Sequence, residues 1–478
     1  MGLKKNFLYN SVLTLSQFIF PIITFPYAAR ILGAEGIGIT SFIESFSRYF
    51  LLFAVAGIPI HGMREIAKSK ASKEIVERTF IEIYSIQFYL SIIATAVYFI
   101  SLIFLKDFEK FKLLYLMGGF LIISNIFSLE WVFQGLEDFK FIALRTVFIR
   151  VLTIVLLFLL VKTHSDYSWY FFLLVFSSTV NGIVNLFYLR KYIKLKLTAS
   201  YLRLKVHLKP IALTGGYLFA ISIYTLLTTI LLGFFSSDQA VGYYTAATRF
   251  NRLGLVIFSA LSTVMIPRLS SIAVGGNEES YKNLINKSVS FLMTFGFPIS
   301  ITIFLLAPEL INIFAGQGYK ASVICVQIMS PIVLITGMGQ IFGPQILIPF
   351  SKDKQNIIAV SLGAGVSLLA NIILIPFLNE VGASISTLAV DLIVVCTTFV
   401  YASRLINIHI EFKELFFRII SLAPFYFISI ISRKLSSNDF IIVTSYAVFG
   451  SIYFLIIEVL VFKNSFLKNF GLIKDKSK

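Results

Sequence analysis

Charge is scarce in this chain. Of 478 residues only 14% are charged, and the 24 Asp and Glu are outnumbered by 41 Lys and Arg. An ordinary soluble domain has roughly a quarter of its residues charged, so a continuous water-facing surface is excluded. Cysteine is nearly missing as well. Cys325 and Cys396 both fall in apolar runs and read as small packing residues, which excludes a disulfide framework or a thiolate metal site. The four histidines, His61, His164, His207 and His409, sit in loops or at the ends of apolar runs. No two aspartates lie within three residues of each other. An embedded catalytic base or a metal-binding acid cluster is therefore lacking, and an enzyme is not expected. No glycine-rich phosphate loop occurs, so direct use of ATP is not expected either.

What is present is apolar. Hydrophobic residues make up 57% of the chain, and the mean hydropathy is +0.87. Repeated apolar stretches near twenty residues long mean an all-α polytopic membrane protein. The first run lacks a small-residue cleavage pattern and is followed by more spans, so it reads as a span and not as a signal peptide. The expected spans number about fourteen: 7–29, 37–60, 80–105, 112–134, 142–161, 167–189, 210–235, 241–267, 287–308, 322–349, 355–378, 381–403, 415–432 and 440–462. With the N-terminus in the cytoplasm, the inside segments, Arg145 counted among them, hold 29 Lys and Arg and the outside segments hold 8. That bias places both termini in the cytoplasm and explains the net charge of +17 as topology, not nucleic-acid binding.

Four arginines lie inside spans: Arg48, Arg150, Arg249 and Arg252. An arginine at a bilayer centre costs about 2.5–3.5 kcal/mol on insertion scales. Arg249 and Arg252 stand one helical turn apart on one face. Two such residues point to a wet cavity and an anionic cargo, hence to a transporter. Arg150 lies near a span end, where it can snorkel. Arg48 has a second reading as a helix-internal pair with Glu44, four residues earlier. Arg30 has one as an interfacial anchor. Glu44 and Asp391 are the candidate intramembrane acids for coupling transport to H+ or Na+, or they are structural hydrogen-bonding groups. No other cofactor is implied.

The basic loop near 190–209 divides the chain after the sixth span. Shifting the sequence by 204 positions lays Gly38 on Gly242 and Arg48 on Arg252. A shift of 215 lays Ile126-Phe127 on Ile341-Phe342 and Asp138 on Asp353. Transporter halves are often repeats. The expected architecture is two pseudo-symmetric six-helix lobes, 1–195 and 196–405, followed by two extra helices and a basic tail in 406–478. Pro21 and Pro26 are expected to interrupt span one, Pro298 span nine, Pro331 and Pro344 span ten, and Pro376 to end span eleven, as proline removes a helix hydrogen bond.

Several stretches resemble one family. They are Phe25-Pro26-Tyr27-Ala28-Ala29-Arg30-Ile31-Leu32-Gly33-Ala34-Glu35-Gly36-Ile37-Gly38, then Glu130-Trp131-Val132-Phe133-Gln134-Gly135-Leu136-Glu137-Asp138-Phe139-Lys140, then Val241-Gly242-Tyr243-Tyr244 with Met265-Ile266-Pro267-Arg268-Leu269. Ala307-Pro308-Glu309-Leu310-Ile311 with Gly316-Gln317-Gly318-Tyr319 completes the set. They are similar to the polysaccharide and O-antigen flippases of the multidrug/oligosaccharidyl-lipid/polysaccharide exporter superfamily, over residues 1 to about 405. The resemblance implies two V-shaped lobes around a central cavity. It also implies translocation of polyprenyl-pyrophosphate-linked O-antigen, capsule or exopolysaccharide units across the bacterial cytoplasmic membrane. The implied partners are the lipid-linked oligosaccharide, membrane lipid and other polysaccharide-assembly proteins. A related flippase of the cell-wall precursor lines its cavity with arginines from spans one, two and eight. By that resemblance Arg30, Arg48 and Arg249 or Arg252 bind substrate here. Guanidinium forks suit a pyrophosphate, because they bind it bidentately and keep their charge. A drug or cation antiporter of the same superfamily is the alternative and would need an acidic cavity. A glycan polymerase also combines many spans with arginines, but the repeat and the motifs argue against it.

Overall fold

The computed structural model describes residues 3–105, 107–193, 203–406, 412–460 and 462. Lys194, Lys196 and most of the basic tail, along with His409, lie outside the described residues. All regular structure among the described residues is helical. In chain order the helices are α1 Leu3–Val55, α2 Ile58–Ser69, α3 Lys73–Leu102, α4 Lys112–Ile123, α5 Glu130–Gly135, α6 Phe139–Leu160, α7 Tyr167–Leu189, α8 Leu204–Phe235 and α9 Asp238–Val274. They continue as α10 Glu278–Leu305, α11 Ala307–Phe314, α12 Ser322–Met329, α13 Ile332–Gln340, α14 Asp353–Ser403, α15 Phe412–Ile420, α16 Ala423–Leu435 and α17 Asp439–Leu460.

Among the described residues ten helices are long and apolar enough to cross a membrane, and α12 with the segment Ile332–Leu347, bent by 41°, makes an eleventh. Two of the ten run for 51 residues, Ile19–Ser69 and Asp353–Ser403. At 1.5 Å per residue such a helix would reach about 75 Å, far beyond a hydrocarbon core of about 30 Å. Each is broken within its length. The first breaks at Gly33, which has φ +67°, a conformation glycine adopts without a Cβ penalty. The second breaks at Asn379, φ +48°, asparagine being among the residues that best tolerate that region. The first break is thus a correction to the expected one: the helix runs on through Pro21 and Pro26 and turns at the glycine, and α10 likewise runs on unbroken through Pro298. Pro331 does mark a break, standing between α12 and α13, and Pro344 lies in a short π-helix, Ile341–Leu347. Pro376 lies three residues before the Asn379 break.

The helices form two compact units, Met1–Gly242 and Tyr243–Lys478. In the first, α1 packs on α3, α4, α6, α7 and α8. Phe46, Tyr98, Tyr115, Leu114 and Ile122 form one buried cluster between α1, α3 and α4. Ile66, Phe80, Trp131 and Phe133 form another between α2, α3 and α5. The backbone leaves the helix at Ser124–Phe127, and freed carbonyls inside an apolar core need donors. Side chains supply them. Gln87 Nε2 donates to the Asn125 carbonyl (2.5 Å) and the Ser128 carbonyl (3.1 Å), and Asn125 Nδ2 serves the Ala54 carbonyl near the end of α1 (3.3 Å). Gln87 Oε1 in turn accepts from the Trp131 indole at 3.0 Å.

In the second unit α10 and α14 pack around α12 and α13. Tyr281 donates to the Gln345 carbonyl within the π-helix at 2.7 Å. The last helices are tied in by charge. Arg418 pairs with Glu458 at 2.9 Å, both buried, and Arg433 grips both oxygens of Glu309 at 2.6 and 3.0 Å. Large apolar side chains stay exposed on helix faces, Phe148 at 70% and Phe377 at 82% among them, as expected where lipid is the solvent.

Candidate functional site

In the first unit the expected residues lie on α1. Arg30 is exposed, three residues before the Gly33 break. Arg48 is one turn beyond Glu44, and its Nε donates to Glu44 Oε1 at 2.8 Å, with the arginine about half exposed and the acid mostly covered. The rotation of α1 is fixed by the residue between them and the core. Ser47 is buried and donates to the Tyr98 hydroxyl at 3.3 Å, which donates to the Tyr115 carbonyl at 2.8 Å. Gly118 makes the approach possible, since a Cβ there would lie 2.2 Å from Ser47 Oγ. Along the same side Phe46 stacks on Phe42 and meets Phe50 edge to face. The aromatic side of α1 is thereby buried and Arg48 keeps an accessible position.

In the second unit Arg249 is half-buried and Arg252 exposed on α9. Between them Phe250 packs on Phe314 and Asn251 is buried, its Nδ2 donating to the Ala247 carbonyl at 3.0 Å. Asp391 on α14 accepts from Thr336 Oγ1 at 3.1 Å and lies near enough to Arg252 for their charges to interact. The fold thus brings Glu44 to Arg48 and Asp391 to Arg252, so that each of these two arginines has an acidic neighbour. No group of three or more His, Cys, Asp or Glu that could hold a metal occurs among the described residues.

Two polar assemblies lie outside those expectations. Arg145, counted above among the inside loop residues, is instead buried in α6, where it donates to Asn185 and Glu130. Arg418, also counted inside, is likewise buried in the span Leu415–Leu435, so the inside count falls from 29 to 27 and the bias stands. Beside it a groove of about 850 Å3 runs between α6 and α7, lined by Asp138, Lys140, Phe141, Arg145, Phe148 and Tyr188 among others. Asp138 accepts from Tyr188 at 2.8 Å and Tyr192 at 2.7 Å. Burial pushes its carboxyl up, but the hydroxyls of Tyr192 and Tyr188 outweigh that and hold it below the usual carboxylate range. Burial, followed by the Asp138 bond, pushes the Tyr192 phenol well up. The second assembly joins His61, His207 and Glu82. The two histidines are 146 positions apart in sequence, and no local pattern could have paired them.

Comparison with known proteins follows from this helical, arginine-bearing frame. The family described as "Polysaccharide biosynthesis protein" matches residues 3–273, more than half of the chain. The chain belongs to that family. A protein of Escherichia coli K12 described as "Putative O-antigen transporter" is 28% identical over 401 residues, covering 82% of this chain and 95% of the relative. A relative of the same description from Shigella dysenteriae is 28% identical over 396 residues, 82% of this chain and 98% of its own. Among solved structures the lipid II flippase MurJ in an inward closed conformation matches with a TM-score of 0.77 at 15% identity, over 96% of this chain and 99% of its own. At that identity the likeness shows the fold alone: this member of the polysaccharide biosynthesis family is a multi-pass helical protein.

Proposed function

We propose that the protein is a flippase carrying polyprenyl-pyrophosphate-linked oligosaccharide across a bacterial cytoplasmic membrane by alternating access. The similarity to O-antigen transporters along nearly their whole length supports this reading. The observation that carries the chemistry is the placement of Arg48 and Arg252, each on an apolar helix with an acidic neighbour. Arg48, Arg249 and Arg252 bind the pyrophosphate, and Arg30 acts near the outward end. Glu44 and Asp391 then hold the arginines when cargo is absent and are available to take the coupling ion, H+ or Na+. No bond is broken, so no catalytic residue is required.

Fourteen crossings fit the helices described. Each double-length helix counts as two, the bent segment 322–347 as one and α8 as one, which raises ten to fourteen. The lobes 1–195 and 196–405 are read as repeats. A reciprocal contact at the start of two related spans supports that. A Cβ on Gly38 would lie 1.6 Å from the Asp238 carbonyl oxygen, and one on Gly242 would lie 1.9 Å from that of Ala34. Asp238 and Gly242 are Ala34 and Gly38 shifted by 204 positions, so each segment presents to the other what the other presents to it, as in a two-fold contact.

The test is export of lipid-linked oligosaccharide in reconstituted vesicles. Arg48→Ala and Arg252→Ala should each insert normally and lose transport. Wild-type export by the double variant would refute an anionic-cargo site at these residues.

A further inference from the structure

The first unit contains a chain of three buried titratable groups that the transport reading does not use. His61 on α2 is 8% exposed, His207 on α8 is 5% and Glu82 on α3 is 6%. His61 Nε2 is 2.8 Å from His207 Nδ1, and His207 Nε2 is 3.0 Å from Glu82 Oε2. The other oxygen of Glu82 accepts from Arg78 Nε at 3.1 Å and from the Arg203 backbone N–H at 3.0 Å. Arg64, Glu65 and Lys68 of α2 are the remaining charges close to His61, and Glu65 is paired with Lys68 at 2.7 Å. From α5 the neighbour is the uncharged ring of Trp131, which lies against Gly62.

Hydrogen-bond accounting fixes the state of the chain. A carboxylate only accepts, so His207 donates through Nε2. A neutral His207 then has Nδ1 as acceptor, and His61 must donate through Nε2. One further proton makes His207 an imidazolium that donates at both nitrogens. His61 answers by moving its own proton from Nε2 to Nδ1, and each bond in the chain survives with the new charge beside Glu82. A second proton leaves no acceptor between the rings. Two N–H groups and two positive charges would then meet across 2.8 Å, and the contact must open.

We infer that His61, His207 and Glu82 form a binding site for one proton that latches α2 to α8, and that a second proton releases the latch. Imidazoles are the side chains whose charge changes near neutral pH, and two that share one hydrogen bond take up protons as a pair. The site shares no residue with the candidate arginine set and needs nothing from the flippase reading. Its failure would leave that reading untouched.

The purified full-length protein in lipid nanodiscs tests it. Hydrogen–deuterium exchange at histidine C2, read by mass spectrometry from pH 5 to 8.5, reports the charge of each ring in the wild type, with exposed His164 as internal reference. His61 and His207 should follow a two-step coupled curve. Glu82→Gln should move the first step to lower pH, because an adjacent anion no longer favours the imidazolium. Backbone exchange in 58–69, corrected for the intrinsic effect of pH, should rise several-fold with the second step and lose that dependence in His207→Gln. Independent single-step curves for the two rings, or protection of 58–69 that stays flat through the transition in the wild type, would overturn the inference.

Discussion

On the proposed function, Arg48 is a side chain held ready for an anion by its pair with Glu44. Its pair with Glu44 is one helical turn long, and an exposed pair of this kind contributes only about 0.3–0.5 kcal/mol. An incoming pyrophosphate can therefore displace it at little cost. Arg48→Lys should keep part of the export rate, since the charge remains and the fork is lost. Alanine should lower it by about 10–100-fold, the equivalent of one charged hydrogen bond. Initial rates of glycan export in vesicles decide this, and equal rates for lysine and alanine would mean that charge contributes nothing. Asp138 permits a second test. Its depressed carboxyl stabilises the fold at pH values above the ordinary carboxylate pKa of about 3.9, and that stability is lost as pH falls through the lower folded value. Asp138→Asn should thus cost about 1–3 kcal/mol near neutrality, with the two proteins converging at acid pH in detergent unfolding curves. A constant difference down to the acid end would reject it. At this scale the sequence reveals contacts within one helix turn. Glu44 and Arg48 stand at i, i+4 and could be paired on spacing alone. Arg252 with Asp391, and His61 with His207, join helices separated by more than a hundred positions, so no periodicity relates them.

Helices were legible as apolar runs, but their breaks were not all legible. Proline was the obvious marker, and it failed in α1 because a membrane helix can carry a proline and continue when neighbouring groups satisfy the freed carbonyl. The turn needed φ above zero, which only Gly33 in that stretch adopts without strain. Asn379 gave a weaker signal, because asparagine is common in helical surroundings and only its φ betrays the break. Close helix crossings likewise depend on single glycines. At Gly38 an added methyl group would sit 1.6 Å from a backbone carbonyl oxygen, and no rotamer change can relieve a clash with backbone. Gly38→Ala and Gly242→Ala should each destabilise by about 1–3 kcal/mol or more and lower export. Gly365→Ala, in α14 with nothing within 4 Å of the added carbon, should be neutral or gain about 0.5–1 kcal/mol from helix propensity. Thermal unfolding midpoints in detergent measure all three. A tolerated Gly38→Ala would mean that the α1–α9 crossing is looser than described.

Across the whole molecule, orientation depends on how many times the chain crosses. Charge asymmetry is readable from sequence because it needs only loop positions, and two misassigned residues, Arg145 and Arg418, change it by only two units. The number of crossings is harder, since a run of about fifty apolar residues is one helix or two depending on a single backbone angle. α8 is the deciding element. Its 32 residues suffice for a crossing, yet it begins with the basic stretch Lys205, His207 and Lys209, and its clearest apolar part is only Thr225–Phe235. Reporter fusions separate the cases. With fourteen crossings and a cytoplasmic N-terminus, a fusion after residue 200 reads cytoplasmic, one at 236 reads outside and one near 318 reads outside. If α8 does not cross, residue 236 stays on the cytoplasmic side and every later loop changes sides, so 318 reads cytoplasmic as well. The later inside segments, with Arg268 and Lys282, then Lys352 and Lys354, then Arg404 and Lys413, would then face outward, against the rule that basic loops stay in the cytoplasm. A cytoplasmic signal at both 236 and 318 would therefore remove the fourteen-helix topology together with the repeat that pairs Arg48 with Arg252.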